Sequence, residues 1–86
     1  MYKKLMNALN TEKESFYDYV ELYEHCSSEQ NRKIYIEIAK DEAEHYKHVH
    51  EILWEGKTTK TELEEALYKM LECEYNKMIQ ILSKMK

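Results

Sequence analysis

Glu42-Ala43-Glu44-His45 lies in the middle of a stretch whose apolar residues recur at helical spacing. The stripe reads Ile38, Glu42, His45, Val49, Ile52, with steps of four, three, four and three, the seam of a packed helix. An acid and an imidazole in mid-seam cost several kcal/mol unless something compensates them. Working outward, the segment from about Ser28 to Trp54 reads as one long helix. Ser27 reads as its N-cap, with Gln30 in the capping-box position. Gly56, the only glycine, stands where a left-handed C-cap residue is needed.

The flanking segments are helical as well. A first helix over about 2–26 carries the stripe Leu5, Leu9, Glu12, Phe16, Tyr19, Tyr23, Cys26. A third, over about 60–85, follows a Thr59/Glu62 capping box. Its stripe runs Leu67, Leu71, Glu74, Met78, Ile81, Met85, and Ala66, Met70, Tyr75, Ile79 and Leu82 widen its apolar arc. The expected fold is an all-α antiparallel bundle of three helices in a single domain over 1–86. Helices of this length, roughly 38 Å for 25 residues, cannot enclose one another's apolar faces in so short a chain. An open unit of this kind is expected to be completed by association with identical chains.

Composition narrows the function classes. The chain has 86 residues, one glycine, no proline, 43% hydrophobic and 35% charged residues, which suits a helical protein. Apolar runs are only two or three residues long, so neither a signal peptide nor a membrane span is expected, and a cytoplasmic location is the default. Net charge is −4 with dispersed Lys and Arg, which argues against a nucleic-acid partner. Cys26 and Cys73 form no metal-type pair and read as buried thiols; there is no Cys-x-x-Cys. Asp41, Glu44, Glu51, His48 and His50 read as exposed, and His25 as a cation suited to the end of the first helix.

The polar residues inside the stripes carry the chemistry. Glu12 lies about 15 residues before the turn near Ser27 and Glu42 about 15 after it, so antiparallel packing sets them at one level. His45, one turn from Glu42, points at the same cavity. Carboxylate oxygen and imidazole nitrogen suit iron, and Glu-x-x-His projecting into a bundle is the ligand pattern of di-iron carboxylate proteins. Tyr19, two turns from Glu12, can support a ligand carboxylate through its hydroxyl. Glu72 and Glu74 are candidates for a further ligand on the third helix; Glu74 is the better one because it interrupts the stripe. With His45 in the seam, its removal is expected to stabilise the metal-free fold.

Glu12, Tyr19 and Glu42-Ala43-Glu44-His45 together resemble the first helical hairpin of the ferritin-like superfamily, with rubrerythrins and encapsulated ferritins the nearest types. Residues 9 to 54 carry the resemblance. It implies that Glu12, Glu42 and His45 are iron ligands, with Tyr19 supporting the reaction beside them. It also implies a site completed across a two-fold dimer, with manganese or zinc as possible substitutes for iron. Glu14 falls near the family's auxiliary metal-entry acids, but Thr11 stands where the partner glutamate is expected. The family's docking tail for an encapsulin shell is not recognisable after the third helix. The implied activity is oxidation of iron(II) by dioxygen or peroxide, for storage or detoxification. A rubrerythrin-like peroxidase component needing an external electron donor is the neighbouring reading, and a non-catalytic helical interaction module the contrasting one. The same pattern fits half of an ancestral bundle or a fragment of a longer one.

Overall fold

A computed structural model describes residues 2–85. They form three helices, α1 (Tyr2–Glu24), α2 (Glu29–Leu53) and α3 (Glu62–Lys84), and no strand among the described residues. The molecule is a rod of 47 × 22 × 16 Å. α1 and α2 pair along their length as an antiparallel hairpin, and α3 lies over one face of it, closest to α2.

The breaks fall near the expected places, but the caps differ in detail. α1 closes with the Cys26 amide on the Tyr23 carbonyl, which carries the chain through residue 26 before it turns. The first residue free to take an extended cap conformation is then Ser28, not Ser27. Ser28 accepts from the Asn31 amide at 3.3 Å, and Asn31 is not a residue that can complete a capping box. Gly56 does adopt a positive φ, +79°, as the sequence suggests. A Cβ there would meet no atom within 4 Å, so glycine serves the backbone conformation and not a close approach. The second capping box is Thr61 with Glu64, not Thr59 with Glu62. Both phases exist in the sequence. The later one wins because Lys60 stays outside the helix, its ammonium 4.6 Å from the Tyr68 ring centroid and 5.7 Å from that of Trp54. Lys57 pairs with Glu64 across the same turn.

Leu9, Phe16 and Tyr23 on α1 and Leu71 and Met78 on α3 are buried, in phase with the expected stripes. On α2 the phase is different. The buried residues are Ala39, Ala43, Tyr46 and His50, each one position beyond the expected Ile38, Glu42, His45 and Val49. One residue is a rotation of about 100°. The small side chains of Ala39 and Ala43 sit in the core cluster, while Tyr46 and Trp54 supply its aromatic bulk. Ile38, Glu42 and Val49 are half-buried, and Ile52 is exposed. His50, expected at the surface, is therefore a core residue, and Cys73, expected to be buried, is exposed.

α3 is tied to α1 by the Tyr17 hydroxyl, which donates to Glu74 Oε1 at 2.9 Å. This gives Glu74 a structural reason to interrupt its stripe. Tyr17→Phe leaves a part-buried carboxylate without that donor. We expect a loss of about 1.5–3 kcal/mol in urea unfolding, the range for hydrogen bonds to charged groups. An unchanged midpoint would mean that the contact contributes nothing.

Candidate metal centre

The antiparallel pairing of α1 and α2 brings Glu12, Glu42 and His45 together, with one ligand-type atom of each lying within 4.8 Å of the others. His45 Nδ1 is 3.4 Å from Glu12 Oε2 and 3.9 Å from Glu42 Oε1. Two atoms bound to one first-row cation at roughly 2.1 Å lie about 3.0–3.6 Å apart for angles of 90–120°. The His45–Glu12 distance falls in this range and the His45–Glu42 distance exceeds it, so a shared cation would draw Glu42 inward by a few tenths of an ångström.

The three differ in environment. The side chains of Glu12 and Glu42 are 24% and 19% exposed, and that of His45 is 55% exposed. Glu12 reaches the site from between Leu9 and Phe16, and Glu42 from beside buried Ala43, so both acids are drawn from the edge of the core. His45 caps them from the solvent side. Glu12 Oε2 is enclosed and has no hydrogen-bond partner. The 3.4 Å approach of His45 is an ion-pair distance, not a formed hydrogen bond. Glu42 is pushed up to about 7, first by burial and then by the neighbouring Glu12 carboxylate; His45 opposes the rise. Glu42, facing the Glu12 carboxylate near the core, therefore retains a proton close to neutral pH. A cation would replace that proton and occupy the open valence at Glu12.

The other sequence candidates lie elsewhere. Tyr19 packs its ring against Tyr35, with centroids 6.2 Å apart, and its hydroxyl makes no hydrogen bond to Glu12 or Glu42. Glu74 is outside the cluster, engaged by Tyr17. Glu14 and Thr11 are exposed, and Thr11 turns its hydroxyl to the Asn7 carbonyl at 2.9 Å. Tyr17 and Tyr46 escaped the sequence reading. Both phenols are pushed up to about 12, chiefly by burial, with the Glu74 carboxylate adding to it. The available signal was Glu74 itself, since an acid inside an apolar stripe demands a donor.

No family model, no curated protein and no solved structure matches the chain.

Proposed function

We propose that this chain binds iron through Glu12, Glu42 and His45 and oxidises iron(II) with dioxygen or peroxide, in a centre completed by a second copy of itself. The observation that carries the reading is the convergence of three donors from two helices on a point where Glu12 Oε2 is enclosed and unbonded. Glu–Glu–His groups are common on helices without a metal; an orphaned buried carboxylate oxygen is not. The donor set, two carboxylates and an imidazole, suits iron, manganese or zinc. Bound iron supplies one-electron redox chemistry. The chain contributes the anionic ligands, the elevated Glu42 that exchanges a proton for the metal, and a solvent-side histidine through which ions enter.

Two observations support the second copy. One chain offers only three ligands, whereas a two-metal centre needs about twice as many. Apolar side chains on the hairpin are also left uncovered. On α2, Ile36, Lys40 and Glu44 line the groove shared with α3. The opposite flank of the same helix carries Ile34, Ile38, Val49 and Ile52, with Ile34 and Ile52 about half exposed. Leu22, 47% exposed, extends this face on α1. The accessible surface is 6358 Å². A monomer of this mass would show about 5,400 Å². The surplus, about 900 Å², is close to what one partner contributes to a standard interface.

Ferrous iron added in air should give a near-ultraviolet ferric absorbance that saturates at two irons per dimer. Light scattering should report twice the 10.5 kDa chain mass. A dimer that takes up no iron would leave the interaction module as the function. A monomer binding two irons per chain would overturn the shared centre.

A further inference from the structure

Further along α2, beyond the Glu12–Glu42–His45 group, His50, Trp54 and Tyr68 form a closed aromatic group that joins the last turns of α2 to the first turns of α3. His50 is 8% exposed. The Trp54 indole donates to His50 Nδ1 at 3.1 Å. The His50 and Tyr68 ring centroids are 5.0 Å apart, and those of Trp54 and Tyr68 are 5.8 Å apart. An indole N–H can only donate, so Nδ1 must present its lone pair and the ring proton must sit on Nε2. Nε2 is enclosed and has no partner.

We propose that His50 is a protonation latch: the neutral imidazole holds the first turns of α3 on the hairpin, and the imidazolium releases them. The geometry admits only the neutral ring. A second proton would have to go on Nδ1, where it would face the Trp54 N–H across 3.1 Å, donor against donor. The cation would also lie beside a second positive charge, since the Lys60 ammonium is held over the Tyr68 and Trp54 rings. The charged groups facing His50 are Glu51 on α2, Glu72 on α3 and Lys60 in the connection. Glu51 and Glu72 favour the cation, but both are exposed and screened. Burial outweighs them and holds the imidazole below its ordinary 6.5, with Lys60 acting in the same direction.

His50 cannot leave this pocket alone, because α2 is continuous through it. Charging it therefore requires the aromatic group to open. The contact joining α3 to the middle of α1, Tyr17 with Glu74, lies beyond the latch, and the Tyr17 phenol is pushed up to about 12. Opening is thus confined to the connection and the start of α3. This inference does not rest on the metal reading.

Trp54 is the only tryptophan, so its emission reports the group directly. Between pH 7.5 and 5, emission should shift reversibly to the red with a midpoint below 6.5, while far-ultraviolet circular dichroism changes little. Amide exchange should rise over residues 57–70 and not over 12–24. His50→Gln, which keeps an acceptor for Trp54 but cannot titrate here, should abolish the transition. A shift that persists in His50→Gln, or no shift in the native protein, overturns the latch. Should the variant fail to fold, the imidazole resonances of the native protein decide. A His50 midpoint at or above 6.5 rejects the proposal, and one below it, coincident with the Trp54 shift, supports it.

Discussion

His45→Ala is expected to abolish iron(II) oxidation, lowering iron affinity roughly a hundredfold or more. Loss of an outer-sphere partner alone costs 10–100-fold in metal sites, and a direct ligand should cost at least as much. In a two-fold centre the substitution removes one donor from each chain, leaving four carboxylates and no nitrogen ligand. The fold should barely respond. The His45 side chain is 55% exposed and makes only ion-pair approaches to Glu12 and Glu42. Its truncation belongs with surface substitutions, within about 0.5 kcal/mol. This corrects the expectation from sequence that removing a seam imidazole would stabilise the metal-free protein. His48→Ala, three residues on and exposed, is the matched control and should be silent in both measurements. Equal loss of activity in the two variants would mean that His45 acts through general surface charge and not as a ligand.

The rotation of α2 shows where sequence reading stops. Ile38, Val49 and Ile52 are more hydrophobic than Ala39 and Ala43, so a hydrophobicity count selects the wrong seam. Burial instead follows close packing at Ala39 and Ala43 and the area buried by Tyr46 and Trp54. The apolar periodicity through Ile38 and Ile52 is real, but it describes a face left open beside Glu42 and His45. Glu12 and Glu42 could be placed at one level simply by counting residues on either side of a short turn, and counting does not depend on the rotation. Glu74 could not be assigned, because its partner Tyr17 is 57 residues away and reaches it only through the packing of α3 on α1. The same limit hid His50. Its exposure depends on Tyr68 closing over it, a contact with no local signature beyond the four-residue step from His50 to Trp54.

Glu42→Gln should push stability and metal binding in opposite directions. In the metal-free protein Glu42 is raised from 4.5 to about 7. Between those values the native state holds a proton that the unfolded chain has released. Its contribution is therefore intact below pH 4.5 and is lost as pH rises through about 7. Glutamine mimics the protonated acid at every pH. The variant should match the native protein near pH 4.5 and exceed it at pH 8 by about 1–2 kcal/mol, after allowance for solvent screening. His50 acts in the opposite sense. Its folded value lies below 6.5, so its contribution is present above 6.5 and lost as pH falls. Below 6.5 the two slopes oppose and largely cancel, so the native protein should show a shallow profile there and lose stability through Glu42 alone above 6.5. Glu42→Gln should show only the acid-side loss and a plateau above 6.5. Chemical unfolding at closely spaced pH values separates the two profiles. Metal should reverse the order, because a cation would take the place of the Glu42 proton and needs the carboxylate that glutamine lacks. Calorimetry in buffers of different ionisation enthalpy should record about one proton released per Glu42 at pH 6 and almost none at pH 8. If Glu42→Gln proved less stable at pH 8, the Glu12–Glu42 pair would be held together by something other than a proton, and the argument for a cation between them would lose its electrostatic basis.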